Sequence, residues 1–203
     1  MYLPTVERTE PTERSTLFIA MSVAAKPFKT PYPVIDTDPH FKRVVGYMRP
    51  SDYAFIVGGY TAFPGAILLW ERIVPGKYPP GGRDATLRLC CFLGLTGGFL
   101  AAYLRSSQRF WGTRENAQED EKDRMEMAEK IEKGEPLYGV STLSEYSQGV
   151  AARNSRYSAW KMASVPWFNF VNHNQHGVDV KERYGYDEAA AQAAREAKEA
   201  ELA

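Results

Sequence analysis

Apolar and polar positions divide the chain into a middle of two apolar runs and two polar flanks. The first run, Tyr53 to Trp70, reads YAFIVGGYTAFPGAILLW and carries no charge. As a helix it would be roughly 27 Å long, close to the ~30 Å hydrocarbon core of a bilayer. The second, Leu89 to Leu104, reads LCCFLGLTGGFLAAYL, and Ala85, Thr86 and Leu87 extend it beyond Arg88. An arginine that near a helix end can snorkel to the headgroups. Neither run has the polar stripe of a soluble core helix. Between them, ERIVPGKYPPGGRD holds Pro75-Gly76 and Pro79-Pro80-Gly81-Gly82, which is turn chemistry. The pattern predicts a transmembrane helical hairpin with spans of about 53–70 and 87–104. A turn this short puts both ends of the chain on one side.

Small residues recur on each run at a spacing of four: Gly58, Ala62 and Ala66 on the first, Gly94, Gly98 and Ala102 on the second. Such faces let helix backbones approach where no hydrophobic force drives association, so these six are the expected packing residues. Pro64 is expected to kink the first span. Ser51 or Asp52 can cap its first turn. Lys42, Arg43, Arg49, Arg105, Arg109 and Arg114 flank the terminal side, against Arg72, Lys77, Arg83 and Arg88 by the loop. That modest bias favours termini on the negative side of the membrane, which is the matrix if the membrane is mitochondrial. Trp70, Tyr103, Phe110 and Trp111 stand where interfacial aromatics belong. Arg105, Arg109 and Trp111 together form a candidate site for anionic lipid headgroups such as cardiolipin.

The flanks read less sharply. Residues 1–50 form an arm whose prolines at 27, 31, 33, 39 and 50 forbid long helix or central strand. Its Phe28, Tyr32, Phe41 and Tyr47 suit an arm lying on another protein, or equally a loop packed on its own domain. Residues 51–111 are the hairpin, and 112–203 a hydrophilic C-terminal arm, partly helical and partly irregular. Within that arm, Glu121 to Ile131 allow a helix with a thin apolar stripe, docked on a partner or solvated, ended by Gly134 and Pro136. Thr142 with Glu145 offers a capping box. The aromatic segment 157–171, with Trp160, Trp167, Phe168 and Phe170, could be interfacial, a docking patch or a small core. The tail DEAAAQAAREAKEAELA predicts an Ala/Glu helix capped by Asp187.

Composition narrows function. The chain of 203 residues balances 25 basic against 25 acidic side chains, without the basic footprint of a nucleic-acid partner. Cys90 and Cys91 are adjacent, badly placed for a disulfide with each other, and read as small hydrophobes. The first residues carry Glu7, Glu10 and Glu13 and no apolar stretch, unlike a signal or transit peptide. His173 and His176 have ligand spacing but no cysteine or carboxylate cluster beside them in sequence, so a place on the polar surface, or backbone hydrogen bonding, is favoured over metal. The carboxylates after Trp111 look too exposed for a catalytic pair. No phosphate loop, dinucleotide fingerprint or nucleophile motif is present.

The strings KPFKTPYPVIDTDPHFKRVVGYMRPSDY and VPWFNFVNHNQHGVDVKERYG, with the hairpin between them, resemble an accessory subunit of mitochondrial NADH:ubiquinone oxidoreductase, respiratory complex I. In fungi that family is known as the 21 kDa subunit. The resemblance spans roughly Met21 to Gly185. It implies a two-helix protein of the inner membrane, without catalytic residues or cofactor, whose partners are other complex I subunits of the membrane arm. The expected function is stabilisation of assembly. The alternatives are a small membrane transporter or translocase component, or an anchored enzyme using His173 and His176. The transporter would need polar groups within the spans, where only Tyr60, Thr61 and Thr96 are candidates.

Overall fold

The computed structural model describes residues 29–158 and 168–187. Its elements are helical: α1 Phe41–Gly46, α2 Pro50–Ile73, α3 Gly82–Phe110, α4 Ala117–Lys133, α5 Glu145–Ser155 and α6 Val180–Tyr184. Helix α2 starts at Pro50, a first-turn position that needs no N–H. Asp52, two residues on, accepts the Arg49 N–H at 2.9 Å. Gly81, at φ 75°, turns the chain into α3. Arg83 returns to Glu71 at 2.9 Å and ties the loop end of the hairpin. Both long helices have the length and apolarity to cross a membrane.

The two helices pack side by side. Their backbones touch because glycine faces glycine: a Cβ on Gly94 would run into the carbonyl of Gly59, and one on Gly59 into that of Gly94. A Cβ on Gly98 would lie 2.9 Å from the Ile56 Cα. Gly94, Gly98 and Ala102 are buried on α3. The α2 half of the expected face is corrected. Gly58, Ala62 and Ala66 are exposed, and the position of a Cβ on Gly58 has no neighbour within 4 Å. The contact runs instead through Ile56, Gly59 and the Phe63 Cβ. The outward faces remain open, with Val57 62 %, Leu69 62 % and Phe92 64 % exposed.

Below Leu104, α3 continues into a polar head. Ile35, Val44, Tyr47, Tyr103, Phe110 and Trp111 form its core. The described part of the N-terminal arm, from residue 29, is packed on its own domain: Ile35 and Asp36 donate to the Phe110 carbonyl at 2.9 and 3.2 Å. Tyr103, Phe110 and Trp111 are core residues and not interfacial ones; of the four expected at the interface only Trp70 is exposed. Phe110 and Trp111 ride on the ~9 Å by which α3 outlasts its apolar span, and Tyr103, at the end of that span, is covered by Phe41 and Phe168. Met127 anchors α4 with no exposure. Ser144, and not Thr142, caps α5, its hydroxyl accepting the Ser147 N–H. Trp160, Trp167 and the Ala/Glu tail lie outside the described residues.

Candidate functional site: the ionic root of the hairpin

Where α2 and α3 enter the head, their charges meet. Asp52 is wholly buried and takes Arg109 through both guanidinium nitrogens and Arg105 Nε at 3.3 Å. Arg109 spans from there to Glu119 on α4, its Nε 2.9 Å from Oε1. Arg49, just before α2, reaches the same Glu119 at 2.7 Å through its Nε. One buried cluster thus joins α2, α3 and α4. Removing either member of such a pair leaves an uncompensated charge in a low-dielectric site, which costs about 3–5 kcal/mol.

The expected headgroup site takes a different form. Arg109 and Trp111 are enclosed, at 3 % and 2 % exposure, and cannot reach lipid. Arg105 alone stands at the edge, its guanidinium 4.5 Å from the centre of the Phe55 ring. The sequence showed Arg109 as a basic residue just past a span; its counter-ions on α2 and α4 were not visible there.

A second cluster ties the arms together. Asp36 and Asp38 belong to the N-terminal arm, His173 and His176 to the C-terminal one. His173 Nδ1 accepts the Gln175 N–H at 3.1 Å, so its Nε2 hydrogen goes to Asp38 Oδ2 at 2.7 Å. His176 Nδ1 faces Asp36 Oδ1 at 2.8 Å and Nε2 faces the His173 carbonyl at 2.6 Å. Both partners are acceptors for a ring N–H. Tyr138 stacks on that ring at 3.6 Å between centroids. Burial pushes the Asp36 carboxyl up, but His176 and Arg43 outweigh it and hold the group below its ordinary value. Burial raises the Tyr138 phenol. Thr37 adds its N–H and hydroxyl to the His176 carbonyl, at 2.9 and 2.7 Å.

The third cluster centres on Asp123 of α4, which is fully buried. It receives Arg43, Arg183 at 3.1 Å and the Tyr184 hydroxyl at 2.6 Å. Arg183 also pairs with Asp120 and donates to the Val34 carbonyl at 3.2 Å. The carboxylates after Trp111 were expected to be exposed; Glu119 and Asp123 are not. Their i,i+4 neighbours gave no sign of this, because Asp123 is matched from positions 80 and 60 residues away.

This arrangement holds segments together. Among the described residues no three His, Cys, Asp or Glu side chains converge in a way that could hold a metal ion. The histidine nitrogens are engaged by Asp36, Asp38 and backbone groups.

The clusters are assembled from two stretches that also match known proteins separately. Residues 29–115 match the family described as NADH-ubiquinone oxidoreductase complex I, 21 kDa subunit. Residues 124–201 match the C-terminal part of that 21 kDa subunit. The pairs Asp36–His176 and Arg43–Asp123 join one stretch to the other. These matches define a subunit of respiratory complex I. The chain is also 50 % identical over 171 residues to the NADH-ubiquinone oxidoreductase 20.9 kDa subunit of Neurospora crassa, covering 84 % of this chain and 90 % of that protein. It belongs to the complex I 21 kDa subunit family.

Proposed function

We propose that the chain is a non-catalytic accessory subunit, set in the mitochondrial inner membrane by its hairpin, that stabilises assembly of the complex I membrane arm. The observation that carries this reading is the contrast between the two halves of the hairpin. Its outward apolar faces are open along their length, while its root is locked into the head by buried ion pairs. A rigid apolar rod on a polar base suits insertion among membrane subunits and lipid. A subunit that binds the assembled state and not the separated parts shifts the equilibrium toward assembly. Both ends of the hairpin then face one side, which the basic bias makes the matrix. The charged side chains of the head bind one another, and among the described residues no nucleophile, base and acid stand arranged around a substrate.

A native gel of detergent-solubilised inner membranes tests this, comparing a strain lacking the chain with its parent. The expected result is a loss of full-size complex, or its release of membrane-arm fragments in mild detergent. Complex of unchanged amount and unchanged detergent resistance would overturn the proposal.

A further inference from the structure

Five aromatic rings run from the hairpin to the surface of the head. Phe99, on the apolar part of α3, lies 6.4 Å from Phe41 and from Phe168 between ring centroids. Tyr103 stacks on Phe41 at 5.6 Å and meets Phe168 edge-on at 4.7 Å. Phe170 follows at 5.0 Å from Phe41 and is 64 % exposed. A core cluster would hide such a ring; this one ends in the open.

The height of the patch decides what covers it. Arg105, paired with Asp52, marks the charged end of both spans. Phe99 lies six residues nearer the middle of α3, about 9 Å along the axis on the hydrocarbon side. Phe41 and Phe168, which pack on Phe99, therefore sit at the depth of interfacial segments, about 5–10 Å into the headgroup and acyl boundary, and Phe170 packs on both of them. Behind them opens a cavity of about 290 Å³ whose lining includes His40, Lys42, Lys130 and Asn172 and, among the described residues, no carboxylate. It adjoins the patch through the chain itself, since His40 precedes Phe41 and Val171, also in the lining, follows Phe170. Lys42 is exposed. Apolar rings with an exposed cation at the residue after Phe41 match the two ends of one phospholipid.

We propose that Phe41, Phe168 and Phe170 form an aromatic foot seated in the bilayer interface beside α3, with Lys42 and the cavity behind it taking the phosphate of a phospholipid headgroup. The proposal rests on the membrane hairpin put forward above and adds a third point of contact. It also moves the lipid site away from Arg109 and Trp111, which are enclosed.

The test uses intact complex carrying benzoylphenylalanine in place of Phe170, photolysed in the native membrane and analysed by mass spectrometry. A phospholipid adduct on residue 170 is expected. Lys42→Glu in the same complex should lower its yield at least threefold. An adduct to a neighbouring subunit instead of lipid would overturn the foot; an unchanged yield in Lys42→Glu would overturn the headgroup contact. Cys90 and Cys91, inside the second span near its loop end, report on the hairpin separately. Their labelling by a membrane-impermeant maleimide would overturn the hairpin and the foot together. Protected cysteines with a protein adduct at residue 170 would overturn the foot alone.

Discussion

At the scale of single residues, the fold depends on charges that are buried in matched sets. Asp36 is the clearest case: His176 and Arg43 hold its carboxyl below the ordinary value despite full burial. A depressed carboxylate stabilises the folded state above the unfolded value near 4, and that contribution is lost as pH falls through the folded value. Glu126 and Asp120 are depressed as well, so acid weakens several links of the head in the same direction. Asp36→Asn removes the charge at every pH. It should destabilise the head at neutral pH by on the order of 3 kcal/mol, because His176 and Arg43 lose a buried counter-ion. Hydrogen exchange at the Asn169–Gly177 backbone in the assembled complex would show this as faster opening. Wild type should approach the variant's exchange pattern only in acid. Protection unchanged from wild type at neutral pH would mean that the pair contributes nothing. None of this could be read from the sequence, since Asp36 and His176 are 140 positions apart and each is ordinary alone. His173 and His176 lie inside the head and not on a polar surface.

Among the elements, the hairpin was the most legible and its register the least. Length and lack of charge reveal two long helices because apolar runs leave few alternatives. Which face of α2 meets α3 is a finer matter. The sequence offers adjacent glycines, 58 and 59, and the regular Gly58–Ala62–Ala66 spacing favours the wrong one. The structure uses Gly59, whose carbonyl, with the Phe63 Cβ, occupies the space that a Cβ on Gly94 would need. A paired substitution separates the two faces. Gly98→Leu forces a side chain into the Phe55 and Ile56 backbone and should reduce incorporation into assembled complex several-fold. Gly58→Leu adds an apolar side chain on an open face and should leave the α2–α3 contact intact. Detergent resistance of the hairpin contact, measured by cysteine cross-linking between the helices, distinguishes them. Equal loss in both variants would mean that Gly58 also faces a close neighbour; normal behaviour of Gly98→Leu would contradict the close approach. The other elements were partly visible. Gly134 does end α4, at φ 67°, and the helix before it does carry i,i+4 pairs such as Lys130–Glu126. Its partner, however, is the chain's own N-terminal arm, matched through single charges that periodicity cannot register.

For the whole molecule, the two arms form one head, and this changes what loss of a residue should do. Two arms reaching separately for neighbours would fail one at a time. A head closed by Asp36–His176, Asp38–His173 and Arg43–Asp123 should fail as a unit and take the root of the hairpin with it. His173→Ala combined with His176→Ala is the sharpest probe, because it strips both arm-to-arm aspartates of their partners without touching the hairpin. On the surface-histidine expectation this variant would assemble normally. With both rings buried, it should instead lower the amount of assembled complex, toward the level seen when the chain is absent. NADH:quinone turnover divided by the amount of intact complex should stay near the parent value, because the substitution changes how often the complex is built and not what it does once built. The reverse pattern, normal assembly with turnover abolished, would place chemistry at the histidines and refute the structural role. Asp36→Asn with Asp38→Asn supplies the complementary arm. It breaks the same contacts from the other side, so a structural role requires the same assembly defect. A role specific to imidazole chemistry would leave a difference between the two double variants in turnover per complex.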